Sequence, residues 1–201
     1  MNIKSEKLLK LLSIIIFCIY MILVIWVIMF KCNLVNSFTD TYLFFKDFTV
    51  QERFNFYLVP FKDYIEGPFL SQIDNIIQDD ILNISLFIPF GLYLAFFIKK
   101  NRFLKVFLFS FIFSSFFELF QLYSLIGSFA TKDIITNTLG GCIGALLCFL
   151  IYKKHNSELK LTIFNIISIV VIVVCIPLFI YAVSNTIKHI DLYISILKRT
   201  Y

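Results

Sequence analysis

The sequence predicts an all-α integral membrane protein, a polytopic bundle of about five transmembrane helices with an external amphipathic or interfacial segment. Three observations predict it. First, 60% of the 201 residues are hydrophobic and 15% charged, against about 45–50% and about 25% in soluble domains. The mean hydropathy is +0.89. Second, the apolar residues gather into five stretches near the roughly 20 residues that cross a bilayer core. Third, the basic residues behind the net charge of +5 sit in short clusters beside those stretches. That is the pattern of topology signals and not of a nucleic-acid surface.

The stretches are Leu11–Phe30, Ile81–Ile98, Val106–Ile126, Ile134–Tyr152 and Leu161–Val183. In lipid a backbone must satisfy its own hydrogen bonds, so each is expected to be helical. The first is too long for a signal peptide, and no small-residue cleavage site follows it. It reads as an uncleaved anchor. Lys4, Lys7 and Lys10 precede it. Lys99, Lys100, Arg102 and Lys105 join the second span to the third, and Lys153, Lys154 and Lys160 join the fourth to the fifth. In an alternating topology these clusters share one side, which the positive-inside rule makes cytoplasmic. The N-terminus is then cytoplasmic.

The long segment between the first two spans falls outside the cell. Arg53-Phe-Asn55-Phe-Tyr-Leu-Val-Pro-Phe61 is aromatic and too short to span. It suits an interfacial or re-entrant position, because aromatic rings settle at headgroup depth. From Pro68, the spacing of Phe69, Ile73, Ile76 and Ile77 predicts a short amphipathic helix.

Polar residues inside apolar spans are costly and mark candidate sites. Ser110, Ser114, Glu118 and Gln121 follow steps that keep them on one helical face. Asp133 and Asn137 do the same in the next span, followed by Gly140, Gly141 and Gly144. Small residues at that spacing let helices approach closely. Asn83 enters from the second span, whose Pro89 and Gly91 can bend a helix or open space for a neighbour. In the predicted topology Asn83, Gln121, Asp133 and Asn137 share the outer half of the membrane, with Glu118 deeper, near mid-span. A carboxyl there is expected to hold its proton unless Arg53 or another cation reaches it. The bland reading is that the amides and hydroxyls only join helices and that Asp133 caps one. A binding site is the sharper reading.

Several classes are excluded. Five cysteines show no Cys-x-x-Cys pair, and His155 and His189 lie apart, so neither a metal site nor a disulfide framework is expected. No Ser-His-Asp set, His-Glu-x-x-His, Gly-x-Ser-x-Gly or phosphate loop is present. No cofactor is expected, and an enzyme is disfavoured. An intramembrane enzyme or a proton-coupled transporter using Glu118 is the alternative; a transporter usually shows two related halves, and no repeat is visible.

Four motifs in order carry a family resemblance: Arg53-Phe-Asn55 with Val-Pro60-Phe61; Asn83 with Phe87-Ile-Pro89-Phe-Gly91; Ser114 with Glu118-Leu-Phe-Gln121; and Asp133-Ile-Ile-Thr-Asn137-Thr-Leu-Gly140-Gly141. Together they resemble the VanZ family of bacterial membrane proteins. The family usually has a further acid where this chain has Ala130. The resemblance implies three parts: an anchor helix and the start of the external segment over 1–49, a VanZ-like membrane domain over 50–152, and a last transmembrane helix and tail over 153–201. It also implies lowered susceptibility to glycopeptide antibiotics, teicoplanin in particular. The site residues expected are Arg53, Asn55, Asn83, Ser114, Glu118, Gln121, Asp133 and Asn137. Their partners would be membrane lipids and a lipid-linked cell-wall precursor or lipoglycopeptide.

Overall fold

A computed structural model describes residues 3–30, 46–56, 58–60, 80–98, 100–124, 129–154 and 157–188. The expected amphipathic helix after Pro68 and the tail beyond Lys188 lie outside them. Among the described residues six helices follow in chain order: α1 (Ile3–Phe30), α2 (Val50–Phe56), α3 (Leu82–Phe97), α4 (Arg102–Ser124), α5 (Thr131–Lys154) and α6 (Ser157–Lys188). The molecule is an all-α membrane bundle, and each of the five apolar stretches became a helix. α1, α4 and α5 are long and apolar enough to cross a membrane; α3 and the Thr162–Pro177 part of α6 are shorter apolar helices.

Several helices run past the apolar limits read from sequence. α1 begins at Ile3 and takes in Lys4, Lys7 and Lys10. Lysine is a good helix former, so a helix need not stop where its apolar run does. α3 runs unbroken through Pro89, and α6 through Pro177. The α3–α4 link turns through Asn101, whose φ of 53° is left-handed; asparagine tolerates that region better than most residues.

α3 and α5 run in the same direction and make the most intimate pair, while α1 packs along α6. α4 lies against α5 and touches α1 and α3. The four span glycines explain the α3–α5 seam. A Cβ on Gly91 would collide with the Gly141 carbonyl, one on Gly140 with the Ile84 carbonyl, and one on Gly144 with the Ile88 carbonyl. Gly141 faces the Ser110 hydroxyl of α4. Only hydrogen fits at these positions, which is how membrane helices reach van der Waals contact.

Two apolar clusters fill the bundle. One joins Tyr20, Val24 and Val27 of α1 to Leu86, Phe87 and Phe90 of α3, with Phe117 of α4 and Cys175 of α6. The other holds Leu92, Ala95, Val106, Ala145, Cys148 and Phe164. Burying one such aliphatic or aromatic side chain stabilises by roughly 1.5–3 kcal/mol in water-referenced terms; in lipid, close packing carries more of the work. By contrast, Phe103, Leu104, Phe107, Ile112, Phe116 and Phe120 on α4 are exposed, the surface expected to meet acyl chains.

Candidate functional site

The polar face of α4 is turned inward. Ser110, Ser114, Glu118 and Gln121 are all buried, as are Asp133 and Asn137 of α5. Glu118, Gln121, Asp133 and Asn137 lie toward the end of the bundle where α1 and α4 finish and α3 and α5 begin, with Ser114 and Ser110 deeper along α4. α4 therefore presents its polar stripe to protein, and Phe103, Phe107, Phe116 and Phe120 to the surroundings.

The hydrogen bonds at this end join helix termini. A helix leaves its last carbonyls and first N–H groups without partners. Gln121 Nε2 donates to the Ile28 and Met29 carbonyls at 3.0 and 3.3 Å, in the last turn of α1. Glu118 Oε2 accepts the Ala130 backbone N–H at 2.7 Å, just ahead of the first turn of α5, where a helix dipole favours a negative group. Arg53 of α2 donates from Nη1 to the Leu122 carbonyl at 2.9 Å, near the end of α4, where the dipole favours a cation. The last two turns of α4 thus tie together four helices.

Glu118 sits higher than the mid-span position expected of it. It lies six residues before the end of α4, and its carboxyl reaches the segment leading into α5. Arg53, the cation expected near it, turns to the Leu122 carbonyl instead. The position where the family resemblance led us to expect an acid is Ala130, and its backbone N–H meets Glu118. Asp133 is in the first turn of α5.

Below this collar, Asn137 Nδ2 donates to Ser114 Oγ at 2.9 Å, joining α5 to α4. Asn83, half-buried, donates from Nδ2 to Thr136 Oγ1 at 3.5 Å. Asn137 Oδ1 and Arg53 Nε are buried with no hydrogen-bond partner among the described residues. Asn55 does not join the cluster: it is exposed on α2 and accepts from Gln51 Nε2 at 3.2 Å.

α2 is a short helix fixed at its start by a capping box. The Thr49 N–H and hydroxyl both donate to Glu52 Oε2 at 2.8 Å, and the Glu52 N–H donates to Thr49 Oγ1 at 3.3 Å. These donors hold the Glu52 carboxyl below its ordinary 4.5. Phe54 packs on Phe129 with ring centroids 4.7 Å apart, seating α2 beside the entry to α5.

Sequence reasoning missed four contributors. α1 reads as a plain anchor, yet it supplies carbonyls to Gln121, and Tyr20 donates its hydroxyl to the Leu86 carbonyl. A tyrosine among so many apolar residues was the available signal. Lys132 pairs with Asp80 at 3.3 Å. Thr136 links Asn83 to its own helix, donating to the Lys132 and Asp133 carbonyls. Asn165 and Ser168 of α6 are buried, and their three-residue spacing on an apolar helix could have been read as one face.

Comparison with known proteins agrees with the motifs. The profile of the VanZ/LLP1 family matches residues 17–152. Protein VanZ of Enterococcus faecium is 32% identical over 181 residues, covering 90% of this chain and 99% of that protein. No solved structure matches this chain. The family match begins inside α1, as do the hydrogen bonds that anchor the site.

Proposed function

Since the chain belongs to the VanZ/LLP1 family, we propose that it is a non-enzymatic protein that binds an amphiphile at the polar end of its bundle and lowers susceptibility to teicoplanin-type glycopeptides. The amphiphile is a lipid-linked cell-wall precursor or a lipoglycopeptide. The reading places the protein across the bacterial plasma membrane several times, with its N-terminus in the cytoplasm and its polar end outward. Lys7, Lys10, Arg102, Lys105 and Lys154 belong to helix ends opposite the polar one, which supports that orientation under the positive-inside rule.

One observation carries the binding reading. The polar stripes converge from separate helices, and their mutual bonds still leave buried donors and acceptors, Arg53 Nε and Asn137 Oδ1, without partners among the described residues. A purely structural set of joints would be expected to close those bonds, because an unmet buried polar group costs about 1–3 kcal/mol. The exposed apolar side chains beside α2, Val50, Leu58 and Val59, offer a surface for a hydrocarbon tail.

The test is a thermal-shift titration of purified full-length protein with teicoplanin, for wild type and Glu118→Gln. The substitution keeps an oxygen to accept the Ala130 N–H while removing the carboxylate. Saturable stabilisation of the wild type, weakened in the variant, is expected. Equal shifts would remove Glu118 from the site. No shift with teicoplanin in either protein would dismiss the antibiotic as ligand.

A further inference from the structure

Arg53 poses a problem of charge. A guanidinium stays protonated at any physiological pH, yet this residue is only 6% exposed. Buried charges are normally paired, since desolvating an ion costs several kcal/mol. Among the described residues its guanidinium makes one hydrogen bond, from Nη1 to the Leu122 carbonyl. The terminus of α4 offers it about half a negative charge. Among the described residues its buried Nε has no acceptor, and no carboxylate pairs with it. Of the described acids at this end, Glu118 accepts the Ala130 N–H and Asp80 faces Lys132.

The surroundings say what the missing partner resembles. Phe54, the next residue, packs against Phe129 with the rings tilted, which fixes α2 with Arg53 facing inward. Val50, Leu58 and Val59 on the same short segment are exposed and apolar. α3 and α5 both begin at this end of the bundle, so the positive ends of two helix dipoles accompany the guanidinium. A buried cation therefore lies beside an apolar ledge at the bundle's end. Phosphate esters are the oxyanions lipids present at headgroup depth, and the guanidinium fork matches them with two parallel bonds.

We propose that Arg53 is the anchor for the phosphate-ester headgroup of an amphiphile whose hydrocarbon runs over Val50, Leu58 and Val59. This rests on the amphiphile-binding reading above and adds to it the charged group and the residue that recognises it.

Full-length protein in a neutral maltoside detergent would be titrated with farnesyl phosphate, farnesol, inorganic phosphate and dodecanoate. Farnesyl phosphate should bind saturably, and the other three about tenfold more weakly or worse, a factor that one charge-assisted bond supplies. Arg53→Lys keeps the charge but loses the planar fork, and Arg53→Gln loses both; each should weaken farnesyl phosphate about tenfold. Unliganded melting of each variant shows whether it folds. The contrast between farnesyl phosphate and farnesol on the wild type decides the matter even if neither variant does. Farnesol binding as tightly as farnesyl phosphate would overturn the anion assignment while leaving the amphiphile reading intact. Inorganic phosphate binding equally well would make the ligand a free ion, and dodecanoate binding equally well would make it a carboxylate. Either result overturns the proposal. Absence of binding by all four would do so too, as would folded Arg53 variants indistinguishable from wild type.

Discussion

The α3–α5 seam and the collar around the end of α4 hold helices together in opposite ways. At the seam the contact is made by what is missing: Gly91, Gly140 and Gly144 bring backbone against backbone. At the collar the contact is made by long polar side chains, Gln121, Glu118 and Arg53, each reaching a helix terminus. A seam of that kind has no slack, because carbonyl groups cannot step aside. Side-chain joints can be exchanged for others that satisfy the same carbonyl or N–H. The scaffold therefore belongs to the seam, and the freedom to tune a ligand site belongs to the collar.

The largest effect expected from breaking that contrast is at the seam. Gly144→Ala would place a Cβ on the Ile88 carbonyl oxygen and 2.6 Å from the Leu92 nitrogen. We expect destabilisation of about 1–3 kcal/mol or more, seen as loss of monodisperse protein on size exclusion. A variant with the wild-type melting midpoint would show that the seam does yield. Next comes Glu118→Ala, which strips the Ala130 N–H of its acceptor and should cost about 1–3 kcal/mol. Glu118→Gln should recover most of it, and equal losses for the two would mean the charge itself is structural. Gln121→Leu should cost about 1 kcal/mol by uncapping the end of α1. Asn137→Ala, which removes a single interhelical bond to Ser114, should cost about 0.6 kcal/mol. A cost for Asn137 above that of Glu118 would reverse our ranking of the two.

The smallest effect is one of pH. The Glu52 carboxyl is held low by the Thr49 N–H and hydroxyl. Its stabilisation of α2 should be fully present above 4.5 and fade as pH falls through the lower folded value. Amide protection of residues 50–56 should accordingly drop in acid for wild type. Thr49→Val should blunt that drop; an unchanged acid response would detach it from the capping box.

Much of this architecture was legible in the chain. Hydropathy located five of the helices because length and apolarity are what a bilayer selects. Helical spacing put Ser110, Ser114, Glu118 and Gln121 on one face, and burial confirms that face. The glycine spacing pointed to close packing, though not to α3 as the neighbour. What stayed hidden was the use of backbone groups. Gln121 meets two carbonyls of α1, Glu118 an N–H, and Arg53 a carbonyl, and every residue has those groups, so no pattern marks the chosen ones. α1 looked like an anchor for the same reason. Asn55 shows the converse limit: it shares a motif with Arg53 but points the other way, since neighbours two apart on a helix do not face together.

The bond from the Tyr20 hydroxyl to the Leu86 carbonyl spans 66 residues, and that from Gln121 to the Ile28 carbonyl spans 93. Ribosomal synthesis delivers the first helix long before either counterpart exists. Until then a phenol and two terminal carbonyls must find temporary company in lipid headgroups or the insertion machinery. The opening segment of this protein is thus held provisionally and takes its final seat only after the fourth helix has emerged.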